Sequence, residues 1–167
     1  MDLEAPADAW YVWFGVVLVT LAFAGVALSI PTEPSPDTAE AANTIDSVAA
    51  SSYNASGSYD HDANEVQIGL KQIALRNSGG VGRETIAFGE MLPVRVVDDA
   101  DHTADGMDVL LGERPENVFE DESELEEWVD RTRDALLDNE AEWMPATGEL
   151  RVKRIHMGET SVTLIDA

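Results

Sequence analysis

Three histidines and two runs of carboxylates are the residues whose types invite chemistry. His61 stands in Asp60-His61-Asp62, His102 follows Asp98, Asp99 and Asp101, and His156 sits near the end of the chain. Oxygen-rich sets of this kind suit Ca²⁺ or Mg²⁺. The EF-hand spacing, with its central glycine and closing glutamate, is absent. With 33 Asp and Glu in 167 residues, such runs arise without a metal to hold. They read as solvated acidic loops, and no metal ligand is assigned. Nucleophilic catalysis would need an activated Ser or Thr, and no G-x-S-x-G elbow occurs. Ser78-Gly79-Gly80-Val81-Gly82 is glycine-rich but lacks the Lys and Ser/Thr of a phosphate loop, so it reads as a hairpin turn. No catalytic or cofactor-binding residue is assigned, and the expectation is a protein that is not an enzyme and carries no cofactor.

The charge balance narrows the partners. The 33 acidic residues face 10 basic ones, of which only Lys71 and Lys153 are lysine, for a formal net charge of -23. Phosphate backbones are bound by basic surfaces, so nucleic acid is excluded as a partner. Disorder would require few apolar residues, yet 44% of the chain is apolar. A folded, acidic, lysine-poor chain reads as an adaptation to high salt, where screening removes the cost of self-repulsion. Cysteine is absent, which removes disulfides, thiol nucleophiles and thiolate metal sites.

One segment breaks the acidic pattern. Residues 10–30 carry no charge, and 21 residues at about 1.5 Å each span about 30 Å, the thickness of the bilayer hydrocarbon. Trp10, Tyr11, Trp13 and Phe14 crowd one end, as an interfacial belt would. Pro31, Pro34 and Pro36 close the other end. A transmembrane helix is therefore expected, with the lipid bilayer as a partner. A removed signal peptide should have a basic start and a shorter apolar core; Asp2, Glu4 and Asp8 precede this one. No Lys or Arg precedes Lys71, so the positive-inside rule is silent. The proline-rich stalk and Asn54-Ala55-Ser56, which fits a glycosylation acceptor at Asn54, favour a cell-membrane protein with its domain outside. Gly25 with Ser29, and Thr20 with Ala24, are small pairs that would admit a second helix.

The remaining residues must supply the domain. Residues 1–9 form a short acidic tail, 10–30 the membrane helix, 31–37 a proline-rich linker and 38–167 an acidic α+β domain. Within it, residues 38–53 read as a helix capped by Asp37, with Ala41, Ile45, Val48 and Ala49 on one face. Residues 58–97 read as strands, with a slip near Gly69 that suggests a bulge or bend and with Pro93 arguing for an edge. Short helical turns are expected near residues 105–111 and at Pro115. Residues 123–140 read as the main helix, with Ser123 and Glu126 as a capping box and Leu125, Trp128, Val129, Thr132, Leu136 and Leu137 on its apolar face. Glu127 and Arg131 pair on the wet side, and Trp143 is either core or an exposed anchor. Residues 149–166 read as a hairpin. The expected fold is thus α+β: an N-terminal transmembrane helix, then antiparallel sheet packed by one main helix.

The apolar N-terminal segment, the continuation AANTIDSVA, the run EVQIGLKQIALRNSGG and the final hairpin ending in IDA together resemble an uncharacterised haloarchaeal family of single-pass membrane proteins. That family is associated with type IV pilus and type II-like secretion genes. The resemblance covers nearly the whole chain and implies a pilin-like or accessory role, with other membrane or pilus and secretion-assembly subunits as partners. Two features depart from an archaeal prepilin. No basic residue precedes a cleavage site, and three prolines interrupt the spine. Both shift the expectation from a polymer subunit toward a tethered accessory. The alternative is a membrane-tethered extracytoplasmic binding module for a solute, cation or envelope component.

Overall fold

A computed structural model describes residues 9–29, 33–97, 99–138 and 141–167. The chain divides into two units, residues 1–34 and 35–167.

The first unit is one helix, α1 (Ala9–Leu28), and its nineteen residues from Trp10 are long and apolar enough to cross a membrane. None of that stretch is buried. Two hydroxyls are satisfied locally: that of Thr20 donates to the Val16 carbonyl at 2.8 Å, and that of Ser29, just past the helix, to the Val26 carbonyl at 2.7 Å. A segment in hydrocarbon must pair its polar groups internally. The expected end at residues 30–31 lies outside the described residues.

The second unit, the head, begins with α2 (Thr38–Ala49). The Asp37 carboxylate accepts from the Glu40 amide at 3.1 Å, as an N-cap should. The helix stops at residue 49 rather than 53, because Ser51 turns the chain through hydrogen bonds with the amide and carbonyl of Tyr53. Serine competes with the helix ladder in this way. Strands β1 (Ala55–Asp60), β2 (Glu65–Ile68), β3 (Gln72–Asn77), β4 (Gly80–Thr85) and β5 (Met91–Pro93) follow. Then come α3 (Ala100–Leu111), α4 (Pro115–Val118), α5 (Glu122–Asp138), β6 (Met144–Pro145), β7 (Glu149–Met157) and β8 (Thr160–Asp166).

The fold is α+β, as expected, and its strands build two sheets, in the orders β1-β7-β8-β5 and β4-β3-β2-β6. All pairs are antiparallel except β5 with β8. The C-terminal hairpin is the centre of the first sheet, and β1, which begins at residue 55 rather than 58, pairs with it. Of the bulge or bend expected near Gly69, the chain takes the bend, at residues 70–71, in a tight hairpin turn closed by the Gly69 amide on the Gln72 carbonyl at 2.8 Å. Pro93 does sit on an edge strand, where its missing N–H breaks no ladder. Gly82 is required by packing: a Cβ there would press on Thr38 and on the Pro36 carbonyl.

Two cores result. One lies between the sheets and α2, around Ile45, Val66, Ile73, Leu75, Leu150 and Ile165. The other lies between the first sheet and the α3–α5 layer, around Val109, Leu125, Trp128, Ile155 and Leu164. The cap of α5 differs from the expected Ser123/Glu126 box. Asp121 accepts from the Glu124 amide and Glu124 accepts from the Glu120 amide, while Glu126 reaches the Thr160 hydroxyl instead. The apolar face of α5 also ends early. Leu136 is half-buried and Leu137 is 66% exposed, and residues 139–140 lie outside the described residues.

Candidate functional site

The aromatic and small residues of α1 take definite positions on the helix. Trp10 packs its ring against Tyr11 and Phe14 at 5.4 and 5.9 Å, and Trp10, Tyr11, Trp13 and Phe14 are all exposed around its circumference. Gly25 has open space where a Cβ would be. At about 100° per residue, the Thr20/Ala24 pair lies about 140° around the helix from the Gly25/Ser29 pair. The four small residues therefore make two separate notches rather than one stripe.

In the head, the residues picked out for metal chemistry serve the fold. Asp99 caps α3, accepting from the amides of Asp101 and His102 at 3.0 and 3.3 Å. His102 is buried and stacks on Trp128, with ring centroids 4.5 Å apart. The Trp128 indole N–H donates to the His102 carbonyl at 2.9 Å. The Thr132 hydroxyl donates to the Trp128 carbonyl at 2.9 Å, so it accepts from His102 Nε2 at 2.8 Å. That assignment places a proton on His102 Nε2. Burial pushes its pKa down, Arg131 adds to the effect and Asp99 opposes it. Asp98 lies outside the described residues.

The second histidine cluster behaves likewise. His61 Nδ1 accepts from the Ala63 amide at 3.3 Å, while its Nε2 is buried with no partner among the described residues. Burial lowers its pKa against the raising effect of Asp62 and Asp60. Asp62 accepts from the Asn77 side chain at 3.3 Å. Among the described residues no three His, Asp or Glu side chains gather to hold a metal. In the glycine-rich run, the Asn77 side chain already accepts from the amides of Gly79 and Gly80, so the run is the turn between β3 and β4. Asn54 is exposed, and its Oδ1 accepts from the His156 amide at 2.8 Å.

The head does carry a cleft that the sequence reading did not assemble. It measures ≈ 300 Å³ between α3 and α5. Asp101, Asp105, Glu124 and Glu127 line it with Arg131, over Phe119 and Trp128. Phe119 meets Trp128 edge-on at 6.3 Å. The Asp105 pKa is raised, by burial first and then by Asp101, Glu124, Asp108 and Asp99. A cation entering the cleft would relieve that crowding. The signal was present as Asp101, Asp105 and Asp108 at helical spacing, but nothing in it pointed to the opposing α5. Trp143, left open between core and surface, stacks under the guanidinium of Arg76 at 4.3 Å, with Arg83 at 5.8 Å.

A family model described as a family of unknown function (DUF7283) matches residues 4–155. The chain belongs to this family. The matched span runs through α1 and the head as far as Ile155 in β7, so the apolar helix and the domain are matched together. No curated protein and no solved structure matches the chain.

Proposed function

We propose that this chain is a single-pass, membrane-tethered interaction protein of a salt-adapted cell, with its head outside, acting as a pilin-like or accessory component of a pilus or secretion assembly. The observation that carries the reading is α1. Nineteen apolar residues with none buried need a non-aqueous neighbour, and the head is a compact unit without them. A removed signal sequence fits the same helix, so the decisive experiment measures both retention and sidedness. Flotation and alkaline extraction of membranes should keep the protein with lipid. Mass measurement should find the segment intact, and protease on whole cells should reach the head. Release by alkali, or a mature chain beginning beyond residue 30, would refute the anchor. Crosslinking in those membranes with mass spectrometry tests the assembly role, and recovery of the monomer alone would sink it. Salt adaptation predicts a gain of far-UV circular dichroism from low to molar KCl.

The cleft between α3 and α5 favours a second reading, a tethered module that binds a cation or a cationic solute. Its carboxylates, Asp101, Asp105, Glu124 and Glu127, suit such a ligand through charge. Tetramethylammonium and Ca²⁺ are the probes. A rise in melting temperature with either, lost in Glu127→Gln/Asp101→Asn, supports this reading, and no rise refutes it.

A further inference from the structure

Six asparagines occur in the chain, and one of them, Asn54, stands two positions before a hydroxyl residue, in Asn54-Ala55-Ser56. That triplet is the acceptor form for an N-linked glycan. Such triplets also arise by chance, but this one stands in a setting open to an enzyme. Asn54 follows the turn made by Ser51 and leads into β1, an edge strand of its sheet. Ser52, Tyr53, Asn54 and Ser56 are all exposed. The acceptor amide and the hydroxyl are therefore reachable together in the folded head.

The Asn54 carboxamide has a fixed orientation. Its Oδ1 accepts from the His156 amide at 2.8 Å, and His156 Nδ1 lies 3.3 Å from the same oxygen. A backbone N–H only donates, so the atom facing it is the oxygen, and the nitrogen is the atom turned elsewhere. Asn54 Nδ2 and the Ser56 hydroxyl bond to none of the described residues. Asn77 and Asn117 differ, because their side chains donate to the carboxylates of Asp62 and Glu113. Local charge favours the same site. A glycan donor brings phosphate, which carboxylates repel. Residues 47–59 carry no charged side chain for 13 residues, and no other charge-free run in the head exceeds six. Across the ladder, Ala55 and Ser56 are paired with Arg154 and Lys153 rather than with carboxylates.

We infer that Asn54 is an N-glycosylation site, modified on Nδ2 by a transferase that uses a polyprenyl-phosphate-linked oligosaccharide. In the transfer, the bond between the sugar C1 and the phosphate oxygen breaks and a bond between C1 and Nδ2 forms. The lipid phosphate leaves with the electron pair of the broken bond, and Nδ2 gives up one proton to a base of the transferase. No oxidant or reductant is needed. Oδ1 takes no part in the new bond, so the contact with the His156 amide survives the modification. The glycan is a bulky, solubilising group. It solvates the longest stretch of the head that charge leaves bare, where Tyr53 stands exposed. The inference rests on the reading of the head as outside the cell, because N-linked acceptors belong to exported surfaces.

The experiment isolates the full chain from the membranes of its own host and measures the intact mass and the masses of its proteolytic peptides. The chain should be heavier than its sequence by a glycan, and fragmentation should place that glycan on Asn54. Ser56→Ala removes the acceptor hydroxyl and leaves Asn54 with its His156 contact, and it should abolish the mass shift. Ser56→Thr restores a hydroxyl and should keep it. Circular dichroism should be the same in all three, because the Ser56 hydroxyl holds nothing in the fold. An unmodified Asn54 overturns the inference, as does a glycan placed on another residue, a shift that persists in Ser56→Ala or one that is lost in Ser56→Thr. If Ser56→Ala misfolds, the parent chain and Ser56→Thr decide. Protease on whole cells reports sidedness separately. A head that protease reaches but that carries no glycan sinks this inference alone, whereas a head that protease does not reach sinks the outside reading and this inference with it.

Discussion

The node of His102, Trp128 and Thr132 offers the sharpest test of how α3 is fixed to α5. Thr132 is fully buried, and its hydroxyl is the partner of His102 Nε2 at 2.8 Å. Thr132→Val keeps the shape and removes that oxygen, stranding a buried N–H. Such a group costs about 1–3 kcal/mol, or about 5- to 150-fold in the unfolding equilibrium at about 1.4 kcal/mol per tenfold. His102→Phe keeps a ring to stack on Trp128 and removes the donor. If the hydrogen bond is what couples the pair, the double variant lacks the stranded group and recovers much of the loss, with a coupling energy of about 1–2 kcal/mol. The assay is urea unfolding of the full chain in detergent and molar KCl, followed by circular dichroism. Thr132→Val alone should lower the midpoint by about 1 M, given a slope of about 2 kcal/mol per M. Single-variant losses that add to within about 0.5 kcal/mol in the double would refute the reasoning.

The same node predicts the response to acid. The pKa of His102 in the fold is held below its ordinary 6.5, by burial first. The unfolded chain therefore binds the proton more readily, and this contribution is complete above pH 6.5 and lost as pH falls below it. His102→Gln should flatten that part of the stability profile, and an unchanged slope would count against the burial argument. Glu122 accepts from the Thr160 hydroxyl and the amides of Glu159 and Thr160, and these bonds lower its pKa. Glu122→Gln should weaken the tie between α5 and the β7–β8 turn and reduce the loss of stability through the acid range, read by the same pH series. Gly82→Ala should destabilise the head by about 1–3 kcal/mol through overpacking, because its Cβ meets Thr38 and the Pro36 carbonyl; a melting temperature equal to the parent's would contradict that contact.

Features with a local cause were legible in the sequence. The apolar run of α1, the Asp37 cap, the apolar face through Thr132 and the C-terminal hairpin follow from period, capping chemistry and turn residues within about twenty positions. Features decided by distant partners were not. The split into two sheets depends on β1 leaving β2 for β7, a choice made by strand 149–157 and invisible in residues 55–68. The cap of α5 moved because Glu126 turned toward Thr160, 34 residues away. Leu137 has the right spacing for the core, but the core ends before it. The acidic cleft was half legible, since one wall is an α3 stripe and the other belongs to a helix that no local pattern places opposite it.

The charge excess also limits what ion pairs can do for this fold. Ten basic residues cannot neutralise 33 acidic ones, and exposed pairs such as Arg131 with Glu127 at 3.7 Å contribute only about 0–1 kcal/mol each. The pair of Arg95 with Asp166 differs: the Asp166 side chain is only 7% exposed, and Arg95 also donates to the Ala167 carbonyl at 2.7 Å. It pins the end of β8 to the turn after β5, where removal of one partner would strand a nearly buried charge. Stability must therefore come from the two apolar cores and a few satisfied buried polar groups, with the acidic surface set against it. A surface so arranged opposes contact between copies wherever its carboxylates meet.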